Sequence, residues 1–289
     1  MVSLRKMLYP TDLSPYSKIV LSFLGDLKEV GVEEIGVLFV VNTSKLSTVS
    51  GGFDVGKYIE LEEKRAEEEM PKIVSLIESE GIRAKVLKPY PSGNPVTEIT
   101  KASNSYDFIA IGARGRSIFK EILLGSVSEG VIRRSPIPVY VFKSKVEENE
   151  FGVKCYKPCE RLFERILVAY DFSNHSRKCL EYAKAIAQRA KSEIVVLHAD
   201  EDDSCKIDNL ESVEKKLGDL NLRVKTLKIC GSPAKMILKK QKELNASTIF
   251  VGSRGLGLGK ALILGSVSDP VVRMSEVPVF VCKVRVDER

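Results

Sequence analysis

The chain has 289 residues, 44% of them hydrophobic and 29% charged; that suits two globular domains of ordinary size and excludes a disordered or fibrous chain. Its 45 basic and 39 acidic residues leave a net charge of +6. This is a mixed surface that weakly favours anionic ligands and gives nucleic-acid binding little footing.

Met7–Tyr9 reads as a first strand. Ser14 before Pro15 predicts a helix start, with a side-chain acceptor ahead of a residue that needs no amide partner. A second strand follows at Ile35–Val40. Ile59, Ala66, Met70, Ile73, Val74 and Ile77 mark the apolar face of a long helix. "EEKRAEEE", Glu62 to Glu69, is its exposed face of alternating charge. Strand three is Arg83–Leu87, and a helix starts after Gly93-Asn94-Pro95. Strand four is Phe108–Ile111, a last helix starts near Gly125-Ser126, and "PVYVF" closes as strand five. The stretch from Ser144 to Glu160 is charged and irregular and is read as a linker.

The second half repeats this order, with strands at Ile166–Ala169, Glu193–Leu197, Arg223–Ile229, Thr248–Val251 and Val277–Val281. The agreement extends to single residues. "GARGRSIFKEILLGSVSEGVIRRSPIPVYVFK" from Gly112 lies over "GSRGLGLGKALILGSVSDPVVRMSEVPVFVCK" from Gly252, with half the positions identical. "MLYPTDLSPYS" lies over "ILVAYDFSNHS", placing Asp12 on Asp171 and Ser14 on Ser173. "SGNPVTEI" lies over "CGSPAKMI". The halves differ in between: Asp12 to Gly93 is 81 positions and Asp171 to Gly231 is 60, so the second copy lacks most of the long helix. The expected boundaries are 1–145, a linker at 146–162, and 163–289. Strands alternating with helices give a parallel sheet with right-handed crossovers. The fold class is α/β, with two tandem doubly wound five-stranded domains, each an α/β/α sandwich.

Both copies carry Gly-x-x-Gly, nine residues, then Gly-Ser. Ligands of open α/β sheets bind beyond the carboxyl ends of the strands. Gly112 and Gly252 stand at such an end, where glycine permits positive φ and close approach of a ligand. Gly125-Ser126 and Gly265-Ser266 open a helix, whose unpaired amides and positive dipole end suit a phosphate. A P-loop is excluded, because "GLGLGKA" has the wrong spacing and Ala261 where a hydroxyl is needed. A dinucleotide fingerprint is excluded because the first strands end in "YPTD" and "VAYD", without glycine. The bland alternative is that the glycines only shape turns, and duplication would copy such turns too.

Together with Asp-x-Ser after the first strand and "SPIPV/SEVPV" before the last, these motifs resemble the universal stress protein family over nearly the whole chain. The resemblance implies adenine-nucleotide-hydrolase-like layering and a bound adenine nucleotide: ATP, ADP or AMP. Carried over by position, the phosphates should meet Gly115, Gly125, Ser126, Val127 and Ser128, and in the second domain Gly255, Gly265, Ser266, Val267 and Ser268. Gly112 and Gly252 should border the ribose or base, Val40 and Ala199 the adenine edge. Pro10 and Thr11, with Ala169 and Tyr170, should line the pocket. Arg114 and Arg254 are placed to reach a phosphate. Asp12 and Asp171 could accept a ribose or base hydrogen bond, or help hold Mg2+ or Mn2+ on the phosphates; their other reading is helix capping. The resemblance also implies that "PVYVFK" and "PVFVCK" pair the two domains, in keeping with the readiness of edge strands to pair. Residual apolar surface would then support a homodimer.

No convincing set of general base and phosphate-binding lysine is found. His175 and His198 have no counterparts in the first half and read as structural. The favoured reading is a nucleotide-binding stress-response or regulatory protein whose arrangement a protein partner reads. A slow ATPase or nucleotidyl-transfer enzyme using the same pocket is the alternative, and an interaction module without nucleotide a third. No apolar run approaches the roughly 18 residues of a membrane span, and the N-terminus runs straight into a strand rather than a signal peptide. All six cysteines lie in the second half without a Cys-x-x-Cys framework. They are read as free thiols in a reducing, cytoplasmic setting; Cys155 and Cys159 are too few for a zinc site.

Overall fold

The computed structural model describes residues 2–44, 54–113, 124–149, 152–200, 210–218 and 220–284. The first domain runs β1 (Lys6–Pro10), α1 (Pro15–Lys18), a 3-10 stretch, α2 (Leu24–Glu29), β2 (Glu34–Leu38), a short β3 (Val41–Asn42), α3 (Val55–Ser79), β4 (Arg83–Val86), β5 (Ser92–Gly93), α4 (Pro95–Ala102), β6 (Phe108–Gly112), α5 (Ser126–Arg134) and β7 (Val139–Phe142). A hairpin follows, β8 (Lys145–Asn149) and β9 (Gly152–Tyr156). The second domain runs β10 (Arg165–Ala169), α6 (Asn174–Ala190), β11 (Glu193–Asp200), α7 (Leu210–Gly218), β12 (Arg223–Cys230), α8 (Pro233–Glu243), β13 (Thr248–Gly252), α9 (Ser268–Met274) and β14 (Val279–Cys282).

The long strands form one ten-stranded sheet, in the order β12-β11-β10-β13-β14-β7-β6-β1-β2-β4. Within each domain every neighbour is parallel. Strand order reverses between β1 and β6, and again between β10 and β13. At such a reversal the two crossovers leave on opposite faces, so a crevice opens beyond the strand ends. The strands are apolar throughout, as burial on both faces requires: all five residues of β6 and of β13 are buried. Successive side chains feed two cores. Met7 and Tyr9 face the layer of α1, α2, α3, α6 and α7, while Leu8 faces α4, α5, α8 and α9.

The domains join as the motifs imply. β7 and β14 pair antiparallel, Val141 with Val279, Tyr140 with Phe280 and Val139 with Val281. Tyr140 and Phe280 are equivalent residues of the repeat, so a pseudo-twofold axis passes between them. Their rings lie 5.2 Å apart in an edge-to-face arrangement. The Tyr140 hydroxyl lies 2.8 Å from the Thr248 hydroxyl of the second domain.

Helix starts follow the local sequence. Ser14 accepts from the Ser17 amide at the start of α1, and Ser173 from the Ser176 amide at the start of α6. The predicted first helix is broken by a 3-10 stretch over Ile19–Phe23, where β-branched residues lower helix propensity. The alanine-rich α6 runs unbroken for 17 residues. The missing segment falls where the repeat places it, with α3 at 25 residues and α7 at 9.

α3 is tied to α1 by Glu69, which meets Lys18 at 2.7 Å and Lys72 at 2.6 Å. The Lys18 and Lys72 ammonium groups hold the Glu69 carboxyl down from 4.5 to about 2. A depressed carboxylate contributes stability above its unfolded value and loses it as pH falls through the folded one. Glu69→Gln is therefore expected to flatten the acid limb of thermal stability between pH 4.5 and 2. An unchanged limb would assign that limb to other carboxylates.

Two expectations are corrected. The linker is not irregular throughout: Lys145 to Tyr156 forms an antiparallel hairpin. Gly152, the first residue of β9, has a left-handed φ of 123°, which glycine allows. Beyond it the chain clasps both domains. The Lys157 ammonium lies 4.7 Å over the Phe23 ring, the Leu162 amide donates to Asp26 at 2.9 Å, and the Cys159 thiol donates to the Ser247 carbonyl. Nor are all the cysteines thiols. Cys179 of α6 and Cys282 of β14 form a disulfide, and Cys230 is also disulfide-bonded. Sequence spacing hid this because the bonded residues lie 103 apart in the chain; β14 and α6 bring their Cα atoms to 5.5 Å. Burial pushes the Cys159 thiol up to about 12.

Candidate functional site

The crevice at each strand reversal is built by three local devices. The first is a turn after the first strand. Leu13 and Phe172 take left-handed φ of 64° and 62°, an uncommon conformation for such residues. A carboxylate secures each turn. Asp12 Oδ1 accepts from the Ser14 amide at 3.0 Å and its hydroxyl at 2.6 Å; Asp171 Oδ1 accepts from the Ser173 amide at 3.1 Å and its hydroxyl at 2.6 Å. The Thr11 amide donates to Leu38 and the Tyr170 amide to Leu197, which fixes both turns against the second strand. The aspartates therefore do not cap the helices themselves: Ser14 and Ser173 are the N-caps, and each aspartate braces the capping serine.

The second device is the glycine at the end of the fourth strand. Gly112 and Gly252 are not among the left-handed glycines, which corrects the expectation of positive φ there. At Gly112 the requirement is space: a Cβ would lie 2.4 Å from the Tyr16 carbonyl oxygen of α1. The carbonyls of both glycines accept from the buried hydroxyls of Ser128 and Ser268. Those two serines thus tie the last helix to the strand, with their hydroxyls turned inward.

The third device is the helix start. The Gly125 amide donates to Ala113 at 2.8 Å and the Gly265 amide to Ser253 at 3.0 Å, which ties the start of the last helix to the end of the fourth strand. Gly125 is the N-cap of α5, and no side chain caps it. Glycine is the reason, since serine or aspartate there would fill the position with its own oxygen. The first amides of an α-helix have no partner within the helix, and no side chain caps α9 either. Arg114, Gly115, Arg254 and Gly255 lie outside the described residues.

In the second domain these devices enclose a cavity of about 120 Å³. Every expected second-domain residue that the structure describes lines it: Ala169, Tyr170, Asp171, Ala199, Gly252, Gly265, Ser266, Val267 and Ser268. Ser176, Leu197, Pro233, Ile237 and Val251 also line it, and the sequence reading did not place them there. For Pro233 and Ile237 a signal existed, because both lie in the repeated "CGSPAKMI" segment. In the first domain Pro10 ends β1, Thr11 and Asp12 follow, Val40 lies beyond β2, and Gly125, Ser126 and Val127 start α5. Thr11 turns its hydroxyl to Ser17 at 2.9 Å.

His198, read as structural, positions the second turn. Its Nδ1–H donates to the Tyr170 carbonyl at 2.7 Å, and its ring lies 5.4 Å from that of Phe172. The first domain has Phe39 at this point of the repeat. Among the described residues no group of three His, Cys, Asp or Glu side chains is placed to hold a metal ion. No described helix is long and apolar enough to cross a membrane.

Comparison with known proteins shows the family. The model of the universal stress protein family matches residues 3–143 and again 162–283. The crystal structure of a universal stress protein from Archaeoglobus fulgidus DSM 4304 is 47% identical and superposes with a TM-score of 0.84, covering 99% of this chain and 98% of that one. Universal stress protein MJ0577 of Methanocaldococcus jannaschii is 34% identical over 158 residues, 50% of this chain and 98% of the relative. Another universal stress protein, 17% identical with a TM-score of 0.35 over 42% of this chain and 97% of its own, has been solved in complex with cAMP. With its two matched regions, the chain belongs to the universal stress protein family.

Proposed function

We propose that each domain, 1–145 and 163–289, binds an adenine nucleotide in its strand-reversal crevice, and that the protein acts as a regulatory binder rather than a fast hydrolase. The observation that carries this reading is the second-domain cavity, which runs from the apolar ends of β10, β11 and β13 to the uncapped start of the last helix. Apolar walls of Ala169, Leu197, Ile237 and Val251 suit a purine face. Outward amides at a helix start suit phosphate oxygens. Ser126 and Ser266 can donate to those oxygens, and a divalent cation would ride on the phosphates beside Asp12 or Asp171. These groups bind and orient. Favouring one arrangement of the chain, a bound nucleotide would be read by a partner protein.

Gly125→Val and Gly265→Val test this reading by calorimetric titration with ATP. Gly125 sits at φ −62° and ψ 146°, open to any L-residue, so valine there probes space rather than backbone strain. Each variant is expected to lose one of two binding equivalents, with ADP release no faster than in the double variant. Unchanged binding in both single variants would remove the helix starts as the phosphate seats.

A further inference from the structure

The helices that offer these seats also meet across the domain junction. Glu129 lies in the first turn of α5 and Asp269 in the first turn of α9. Glu129 Oε1 accepts from Arg133 at 2.9 Å and from Arg273 of the other domain at 2.7 Å. Asp269 accepts from Arg273 at 2.8 Å and from Arg133 at 3.4 Å. The four side chains form a closed ring of alternating charge about the pseudo-twofold axis, each 26–30% exposed. Lys143 donates to the Arg273 carbonyl and Lys283 to the Ile132 carbonyl, so each domain also serves the closing turn of the other's helix.

The junction has little need of this ring as glue. Partly exposed ion pairs contribute little to stability, and the β7–β14 pairing and the buried aromatic cluster already join the domains. Its placement matters more for charge. Helical side chains lean toward the N-terminus, so a carboxylate one turn in lies along the end that offers its amides. A negative charge there suits the bare helix dipole but opposes an incoming polyanion. We propose that the arginine each domain lends joins the helix's own arginine in cancelling the carboxylate one turn in from the other domain's phosphate seat, so that domain pairing is itself part of both nucleotide sites. This rests on the nucleotide reading above and names Arg133 and Arg273 as positioning residues that act through Asp269 and Glu129.

The test titrates the full chain with ATP in four forms: wild type, Arg133→Met/Arg273→Met, Glu129→Gln/Asp269→Asn, and all four substitutions together. Removal of the arginines is expected to weaken ATP about tenfold at low salt, with the loss shrinking near 0.5 M salt as screening predicts. Removal of the carboxylates is expected to tighten it severalfold, a gain that misfolding cannot produce. The fourfold variant, uncharged and without ion pairs, should return to within about threefold of wild type. Equal weakening of the arginine-free and fourfold variants would reduce the ring to architecture and overturn the inference, as would no change in any variant. A wild type that binds no ATP at either seat would overturn the nucleotide reading and this inference together.

Discussion

Phe280→Ala is expected to cost about 3–5 kcal/mol, the range for emptying a large buried aromatic site. Phe280 is 1% exposed and stacks on Phe250 at 4.7 Å. It also meets Tyr182 at 5.1 Å and Tyr140 at 5.2 Å. It stands on β14 where the two domains share one sheet, so the void would open at the centre of the molecule with well-packed strands on both sides. Such a site collapses poorly, which places the cost toward the upper part of the range. Thermal unfolding should move down by about 10 °C as one transition, since both domains lose the same neighbour. Tyr140→Phe is the control. It removes one hydroxyl that faces Thr248 at 2.8 Å, while Thr248 keeps its bond to the Pro278 carbonyl at 3.0 Å. That change should cost about 1 kcal/mol. Equal costs for the two variants would mean that the aromatic cluster does not hold the domains together.

Opening the Cys179–Cys282 disulfide is expected to destabilise the second domain by about 2–5 kcal/mol. The bond closes a loop whose ends are 103 residues apart, so its main action is to restrict the unfolded chain. The native state should change little, because both residues are fully buried and two thiols fit nearly the same space. The first domain provides an internal control. Its equivalent positions hold Val20 and Phe142, both fully buried, and that domain packs without a covalent link. Denaturant midpoints of oxidised wild type and of oxidised Cys179→Ala/Cys282→Ala, which leaves the Cys230 disulfide in place, measure the effect, with thiols counted by mass on the unfolded chains. Six thiols in the untreated protein, or equal midpoints, would remove the bond from the account of stability.

Much of the candidate site was legible because duplication wrote it twice. Gly112 and Gly252, Asp12 and Asp171, and Gly125 and Gly265 stand at fixed offsets, and alternation of strand and helix placed them at strand ends and near helix starts: Gly125 is the N-cap of α5, whereas α9 starts at Ser268, three residues after Gly265. What each residue does there was less legible. The space requirement at Gly112 comes from the Tyr16 carbonyl, almost a hundred positions away, and no local pattern encodes that approach. The inward turn of Ser128 and Ser268 depends on the Gly112 and Gly252 carbonyls lying beside the last helix. His198 had no partner in the repeat and became a positioning group only once Tyr170 was beside it.

By itself the sequence determined the strands, their alternation with helices, the tandem copy and the positions at which a ligand could be held, because these follow from apolar runs, caps and glycine spacing, all set by near neighbours in the chain. Only the tertiary structure decided the clasp made by residues 157–162, the Cys179–Cys282 bond and the charge ring of Glu129, Arg133, Asp269 and Arg273. These depend on residues about a hundred or more positions apart meeting across packed elements, and contact at that range is fixed by the fold as a whole rather than by any stretch of residues.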